Sequence, residues 1–132
     1  MIHLDTCVLV DALTGPRRSA RALRAQIEQG ERVSYCSLVL FEWLRGARLP
    51  DELRVQEALF PSGAAVAFGP AEAALAARLY RQVRRPRGRE LDLAIAATAI
   101  LQDAALWTLN PRDFADIPSL RLVSVQHSVP GR

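Results

Sequence analysis

Acidic side chains occur in this chain at places where a parallel α/β sheet would bring them together. Asp5 follows a short apolar run typical of a strand, Glu42 and Asp92 lie in apolar helical segments, and Asn110 and Asp113 follow another strand-like run. Carboxylates that share a site repel each other by several kcal/mol at a protein-like dielectric. One of them then stays protonated, or a cation lies between them. Because an all-oxygen donor set suits Mg²⁺ or Mn²⁺, the pattern predicts a metal-dependent enzyme acting on phosphate esters.

Each acid also has a purely structural explanation. Asp5 could cap the helix that follows it, although Thr6 is the better cap. Glu42 could pair with Arg45 on its own helix surface, and Asp92 could be an ordinary helix-dipole acid in a first turn. Taken singly, each acid is weak evidence for a site. The whole set, expected at one edge of one sheet, favours a functional site.

The segment Asn110-Pro111-Arg112-Asp113 has the strongest structural alternative. Asn at the cap, Pro at the first helical position and Asp at the third make a standard helix start. Taken alone, the segment is better explained by helix capping. It points to a functional site only because it is expected at the same sheet edge as the other acids.

Composition narrows the chemistry further. The chain has 132 residues, half of them hydrophobic, which is enough for one domain with a real core. All 17 basic residues are arginine and the net charge is +3. The lack of lysine excludes P-loop, Schiff-base and receiver-domain chemistry. Cys7 excludes the Asp-x-Asp motif of haloacid-dehalogenase-like phosphatases. Arginine suits bidentate contacts with phosphate groups.

The densest basic segment runs from Arg78 to Arg89. We predict a helix over 71–85 that places Arg78, Arg81 and Arg85 on one face. Such a run is either a solvated helix face or a track for a phosphate backbone leading to the acids, and the two interpretations weigh equally. The candidates for nucleic-acid contacts are Arg85, Arg87, Arg89 and Arg112.

The cysteines and the N-terminus indicate the compartment. Cys7 and Cys36 lie far apart in apolar runs without zinc-type spacing, so we interpret both as buried free thiols in a reducing environment. Asp5 and Asp11 interrupt the apolar N-terminal stretch, which excludes a signal peptide. No apolar stretch approaches the roughly 20 residues of a membrane helix. We expect a soluble, cytoplasmic protein without membrane contact.

Strand-like and helical segments alternate along the chain. The predicted strands cover 2–4, 33–37, 64–68, 105–109 and 122–125. The predicted helices cover 6–13, 17–29, 38–47, 51–60, 71–85 and 90–103, with Thr6 and Ser37 as caps of the first and third. This order predicts a three-layer α/β/α sandwich around a central parallel sheet of about five strands. We expect one domain over 1–132 with a frayed tail over 126–132, and a ligand at the carboxyl ends of the strands.

The two helices predicted between 38 and 60 carry more apolar surface than one core face needs. Leu40, Trp43, Leu44 and Leu59 are the clearest examples. Surplus apolar surface of this kind indicates a dimer or partner contact.

Four segments together resemble a known family. They are Ile2-His3-Leu4-Asp5-Thr6, Phe41-Glu42-Trp43-Leu44-Arg45-Gly46, Asp92-Leu93-Ala94-Ile95-Ala96-Ala97-Thr98-Ala99 and Trp107-Thr108-Leu109-Asn110-Pro111-Arg112-Asp113-Phe114. In order, spacing and total length the chain resembles PIN-domain ribonucleases, and among them the VapC-type toxins of bacterial toxin–antitoxin pairs. The resemblance extends from Met1 to about Val125, and the segment from Asp92 is its most specific part.

The resemblance implies a set of site residues. Asp5, Glu42 and Asp92 would be metal-binding carboxylates. The fourth acidic place is either Asn110 or Asp113, and Asp113 is the only carboxylate of the two. Two further implied residues and two departures from the family pattern complete the set. Thr6 would hold a metal-bound water or Asp5 itself, and Asn110 would support the site. Cys7 stands where Ser or Asn is usual, and Leu109 stands where Arg is often found.

The resemblance also implies a function. One or two Mg²⁺ or Mn²⁺ ions would activate a water for in-line attack on an RNA phosphodiester, with tRNA or rRNA as the substrate. The implied partners are a small cognate antitoxin and a second copy of the chain in a homodimer. The alternative is a catalytically weak PIN-like module that binds nucleic acid or antitoxin and acts mainly in promoter regulation, with Cys7 and Asn110 as signs of lost activity.

Overall fold

Three short parallel strands form the centre of the molecule in the computed structural model, which describes residues 1–123. They are β1 (Ile2–Leu4), β2 (Val33–Ser34) and β3 (Ala105–Trp107), in the order β2-β1-β3. Ile2 pairs with Val33 on one side and with Ala105 on the other. All three residues of β1 are buried, as expected for a central strand covered on both faces. The predicted α/β fold with a parallel sheet is therefore confirmed.

The predicted number of strands was too high. The segments around Val66 and Leu122 lie at the two edges of the sheet, but each makes only a single bridge, Cys36 to Val66 and Leu106 to Leu122. A 3₁₀ turn over Ser62–Ala64 precedes the first bridge, and a helix starting at Pro70 follows it. The pairing with Val66 is cut short on the partner side, because a helix starts at Ser37, directly after Cys36. Part of the other predicted strand, from residue 124, and the predicted frayed tail over 126–132 lie outside the described residues.

Six α-helices surround the sheet within the described range. They are α1 (Thr6–Leu13), α2 (Ala20–Glu28), α3 (Ser37–Arg45), α4 (Pro50–Leu59), α5 (Pro70–Gln82) and α6 (Glu90–Leu101). In the described part of the chain, none of them has the length and apolar character needed to cross a membrane.

The helix boundaries differ from prediction where the backbone leaves the helical region. α2 starts three residues late because Arg17 has a φ of 54°, and α6 ends before Asp103, whose φ is 52°. α5 stops at Gln82 because Val83 is extended, with φ −78° and ψ 153°, and buries its side chain. The prediction that Arg78, Arg81 and Arg85 share one helix face is therefore wrong, because Arg85 lies beyond the end of α5.

Two helix caps also differ from prediction. Asp5, not Thr6, caps α1, since its carboxylate accepts from the Thr6 amide. Cys36, not Ser37, caps α3, and its sulfur accepts from the Leu38 amide at 3.3 Å. The Ser37 hydroxyl instead accepts from the Phe68 amide. In each case the residue at the end of the extended segment is the cap.

The core is built around α6, which is buried from Leu93 to Ala99. This helix packs against α3, α5 and β3, so its uncharged body reflects contact on several sides. Its first turn follows the backbone turn at Gly88, whose φ is 84°, and carries Asp92. Trp43, predicted as part of a partner surface, belongs to this core with no exposed area, whereas Leu44 and Leu59 are about half exposed.

Candidate active site

Asp5 lies where β1 ends, and the structure fixes its carboxylate firmly. Its amide donates to the Trp107 carbonyl at 2.9 Å, which extends the pairing of β1 with β3 by one residue. Oδ1 accepts from the Thr6 amide at 2.8 Å, and Oδ2 accepts from the Thr108 hydroxyl at 2.7 Å and from the Cys7 thiol at 3.4 Å. Asp5 is 7 % exposed. The Asp5 carboxylate therefore has two roles: it caps α1, and it is held in a fixed orientation at the edge of the sheet.

Glu42 reaches the same place from α3. Its Oε1 accepts a 2.6 Å hydrogen bond from the Thr6 hydroxyl, and its Oε2 accepts from Arg45 Nη2 at 3.3 Å. The helix-surface pair with Arg45 and the link to the Asp5 region thus coexist. The Thr6 hydroxyl is directed to Glu42, and only the Thr6 amide contacts Asp5.

Asp92 completes the cluster from the first turn of α6. Its pKa is raised from 3.8 to about 6, mainly by burial and then by the negative charges of Asp5, Asp113 and Glu42, with Arg89 acting in the opposite direction. Each of the other three predicted acids therefore lies close enough to act on Asp92. Carboxylates arranged in this way favour a proton or a cation between them.

The fourth acidic position lies in the segment that follows β3. Asn110 precedes a 3₁₀ turn over Pro111–Asp113, which we name the Pro111 turn, and its amide donates to the Thr108 hydroxyl at 3.1 Å. The Asn110 side chain makes no capping hydrogen bond in this described segment. Asp113 is exposed and acts on Asp92 through its charge.

Thr108 is a functional candidate that sequence reasoning missed. Its hydroxyl donates to Asp5 Oδ2 and accepts from the Asn110 amide, and the residue is 8 % exposed. It thereby joins the first and fourth acidic segments. The available signal was a Thr two residues before Asn at a strand end, a pattern typical of a turn in which the hydroxyl accepts from the backbone.

Cys7 keeps a hydrogen-bonding role despite its departure from the family pattern. Its sulfur accepts from the Leu109 amide at 3.3 Å while its thiol donates to Asp5. Burial and the Asp5 charge raise the pKa of Cys7 to about 11. The thiol is therefore neutral at physiological pH and is a poor nucleophile.

The donor set suits a hard divalent cation, but the side chains do not form a finished coordination shell. Across residues 1–123, no three His, Cys, Asp or Glu side chains are grouped closely enough to hold a metal ion as placed. Glu42 is turned to Thr6 and Arg45, and Asp5 to its three donors. What fits a cation is the chemistry: oxygen ligands only, and a carboxylate with a raised pKa among like charges.

Arginines line a groove beside Asp113. The lining residues are Arg84, Arg85, Arg89, Arg112, Asp113 and Asp116. The structure thus brings together three of the four arginines predicted for nucleic-acid contacts, and it adds Arg84. Arg87 is exposed and lies outside this lining. Arg89 differs from the others because it is bonded to Asp116.

Comparison with known proteins decides the family. A profile described as the PIN domain matches residues 2–120. The chain belongs to the PIN-domain family. This PIN domain is 38% identical over 120 residues to Ribonuclease VapC19 of Mycobacterium tuberculosis, a match that covers 89% of this chain and 95% of the relative. The resemblance read from the four segments is thereby confirmed.

Solved structures agree with this assignment. The PIN domain resembles a toxin-antitoxin complex from Klebsiella pneumoniae with a TM-score of 0.69 and 26% identity, over 94% of this chain and 97% of that one. It also resembles DNA-bound VapBC from Salmonella typhimurium, with a TM-score of 0.75 and 20% identity, over 92% and 96% of the two chains. VapBC2 from Rickettsia felis, bound to a promoter DNA fragment, gives a TM-score of 0.73 at 22% identity and covers 96% of this chain and 100% of that one. The last two likenesses concern the fold alone.

Proposed function

We propose that this PIN domain is a metal-dependent endoribonuclease and the toxin of a toxin–antitoxin pair. The observation that carries the proposal is the position of Asp92. Its pKa is raised to about 6 by burial and by three other carboxylates, and one of these, Asp113, lines a groove together with four arginines. This combination suits a cation and a phosphate backbone together. The 38% identity to Ribonuclease VapC19 supports the choice of RNA as substrate.

Asp5, Glu42, Asp92 and Asp113 would hold one or two Mg²⁺ or Mn²⁺ ions, with Asn110 as the alternative to Asp113. When bound, such ions activate a water for attack on the phosphodiester and stabilise charge on the leaving oxygen. The chain itself supplies no side-chain nucleophile in this scheme. Its contribution is to hold the acids in place and to bind the RNA.

The polar residues around the acids have distinct tasks in this proposal. Thr108 and the Thr6 amide fix the two oxygens of Asp5. The Thr6 hydroxyl holds Glu42 against rotation. Residues that orient metal ligands in this way commonly change metal affinity or activity by roughly 10–100-fold when removed.

The arginines would contact RNA phosphates. Arg84, Arg85 and Arg112 line the groove beside Asp113 and offer the bidentate donors that phosphate groups accept. Arg87 would extend this surface outside the groove. Because phosphate contacts release counterions, RNA binding should weaken as salt rises, and loss of one of these arginines should reduce that salt dependence.

The direct test is cleavage of a total tRNA and rRNA pool by the purified chain with Mg²⁺ or Mn²⁺, and with EDTA. Asp92→Asn should abolish discrete fragments. Asp103→Asn is the matched control: it makes the same chemical change beyond the other end of α6, and Asn tolerates the φ of 52° found there. Fragments that persist in EDTA or in Asp92→Asn would contradict the proposal. No cleavage by a folded wild-type chain would favour the non-cutting, promoter-binding alternative.

We also propose a docking groove for the antitoxin. An apolar groove of about 340 Å³ lies among α1, α2 and α4 and is lined by Leu13, Leu23, Ile27, Val55 and Leu59, with Arg17 and Arg24 at its margin. An apolar segment of the antitoxin flanked by acidic side chains suits it. Leu59→Asp should prevent co-purification with the antitoxin. Leu101→Asp, at a leucine of similar exposure at the end of α6, should not.

The second partner we propose is another copy of the chain. Phe41, Leu44 and Leu49 are each more than half exposed on or just after α3, which is more apolar surface than a free face usually carries. Sedimentation of the isolated chain should give a dimer, and Leu44→Asp should shift it to the monomer. With RNA as the substrate and free thiols at Cys7 and Cys36, we place the protein in the cytoplasm.

A further inference from the structure

Arg89 connects the start of α6 to the segment that carries Asp113. It immediately precedes α6, three residues before Asp92. Its Nη1 donates to Asp116 Oδ2 at 3.0 Å and its Nη2 donates to Asp116 Oδ1 at 2.6 Å, so the guanidinium and the carboxylate meet as two parallel bonds. Nη2 also donates to the Asp113 carbonyl at 2.8 Å. One side chain thus holds both the end of the Pro111 turn and the residue three positions beyond it.

This engagement separates Arg89 from the other arginines of the groove. Its side chain is 20 % exposed, whereas Arg84, Arg85 and Arg112 are exposed. The hydrogen bond to Asp116 raises the pKa of Arg89, and the same bond lowers the pKa of Asp116. A guanidinium whose donors already meet a carboxylate and a carbonyl is poorly placed to accept an RNA phosphate as a new partner.

We propose that Arg89 is a positioning residue: with Asp116, it clamps the Pro111 turn against the start of α6 and so keeps Asp113 within reach of Asp92. This inference rests on the proposed metal-dependent function, because the Arg89–Asp116 pair would keep one of the proposed metal ligands in place. Sequence reasoning had grouped Arg89 with the RNA contacts. The structure assigns it to the frame that holds the acids.

A positioning role and a simple charge effect predict opposite results. If Arg89 acted only through its charge, Arg89→Gln would strengthen cation binding, because a positive charge near Asp92 is removed. Asp116→Asn would then weaken it by removing a negative charge. If the pair is a clamp, both variants free the Pro111 turn and both weaken cation binding. Arg89→Lys keeps the charge but loses the two parallel bonds, so the clamp predicts weaker binding there as well.

The experiment is Mn²⁺ titration of the full chain by calorimetry. We expect Arg89→Gln, Arg89→Lys and Asp116→Asn each to bind Mn²⁺ roughly 10–100-fold more weakly. The double variant Arg89→Gln/Asp116→Asn should be no weaker than either single variant, since the two residues act as one unit. Arg87→Gln is the matched control, because it removes the same charge from an exposed neighbour and should not weaken binding.

Amide hydrogen exchange provides a second readout that needs no metal. The Asp113, Phe114 and Ile117 amides donate within the clamped segment, so they should exchange faster in the three clamp variants and at the wild-type rate in Arg87→Gln. Unaltered melting of the rest of the fold is expected, since the pair lies at the surface.

The outcomes are distinguishable. Opposite signs for Arg89→Gln and Asp116→Asn overturn the clamp in favour of a charge effect. Unchanged Mn²⁺ affinity, with KM for RNA raised in the Arg89 variants but not in Asp116→Asn, overturns it in favour of a phosphate contact. If variants and wild type bind Mn²⁺ equally, the inference fails and the proposed function stands. If the wild type binds no Mn²⁺, the proposed metal-dependent function fails and takes this inference with it.

Discussion

The Thr6 hydroxyl donates a 2.6 Å hydrogen bond to Glu42 Oε1. Because the amide of the same residue donates to Asp5 Oδ1, Thr6 ties two of the four acids to one turn of helix. Asp5 lies at the end of β1, and Glu42 lies in α3. Among the described hydrogen bonds of these two side chains, no other one connects α1 with α3. Among the described residues, Thr6 is thus the hydrogen-bond partner that the two carboxylates share.

Thr6→Val should reduce activity with little effect on folding. The substitution keeps the shape but removes the donor to Glu42, which is then free to rotate. We expect RNA cleavage to fall by roughly 10–100-fold, and the free energy of unfolding to change by about 1 kcal/mol or less. Thr6→Ser retains the hydroxyl and should keep most of the activity. Equal losses in Thr6→Ser and Thr6→Val would mean that the methyl group, not the hydrogen bond, matters.

Thr108→Val tests the orientation of Asp5. The change removes the donor to Asp5 Oδ2 and the acceptor for the Asn110 amide. We expect activity and Mn²⁺ affinity to fall together by roughly 10–100-fold, because the first and fourth acidic segments lose their link. Thr108→Ser is the control. A variant in which KM for RNA rises while Mn²⁺ affinity is unchanged would assign Thr108 to substrate binding instead.

Asp92→Asn should stabilise the metal-free protein while it abolishes cleavage. The folded protein holds a proton on Asp92 up to about pH 6, whereas the ordinary pKa is 3.8. The stability linked to this proton is fully present below about 3.8 and is lost as pH rises towards 6. Above that pH the ionised carboxylate destabilises the fold, by on the order of 1 kcal/mol once solvent screening at this partly exposed site is allowed for.

Urea unfolding in EDTA checks this prediction. The advantage of Asp92→Asn over the wild type should be near zero at about pH 3.5, should grow up to pH 6 and should then stay constant. Asp103→Asn should track the wild type throughout. An Asp92→Asn protein that is less stable than the wild type at pH 7 would show that Asp92 is a structural residue.

His3 should limit stability at acid pH. The residue is 1 % exposed on β1, and neither ring nitrogen has a hydrogen-bond partner within the described residues. Burial, followed by the charge of the N-terminal amine, lowers its pKa from 6.5 to about 4. The stability due to keeping His3 neutral is full above 6.5 and is lost as pH falls to about 4, by on the order of 3 kcal/mol.

His3→Leu should remove this loss. The variant should be more stable than the wild type by on the order of 1 kcal/mol at pH 7, and its advantage should widen as pH falls from 6.5 to 4. Urea midpoints across this range, with Asp92→Asn as the background, separate the His3 effect from the opposing titration of Asp92. A stability difference that is constant at all pH values would show that the pKa of His3 is the same in the folded and unfolded states.

Local sequence predicted much of the fold. Ile2–Leu4 was predicted with the boundaries that the structure has, and the first helix was predicted with its end at Leu13, because an apolar run, a single acid and a Gly-Pro stop determine them locally. The strand at 64–68 failed because one bridge at Val66 does not make a strand. How much extended chain pairs at an edge depends on the neighbouring turns and on the adjacent segment, and this information is not local.

The caps show the same division on a smaller scale. Residue types predicted that a helix starts after β1 and another near Ser37, and both do. Which atom completes the cap depends on where the extended segment ends. For this reason Asp5 and Cys36 cap the helices, and Thr6 and Ser37 bond to residues far along the chain.

By itself, the sequence determined the α/β fold class and the family, since these follow from apolar runs, turn residues and spacing along one chain, and it singled out the acidic positions that we propose as the site. Only the tertiary structure decided which groups hold those acids. Thr6 meets Glu42 across 36 residues, Thr108 meets Asp5 across 103, and Arg89 meets Asp116 across 27. Hydrogen bonds need their atoms within about 3 Å, and packing alone brings such distant positions that close.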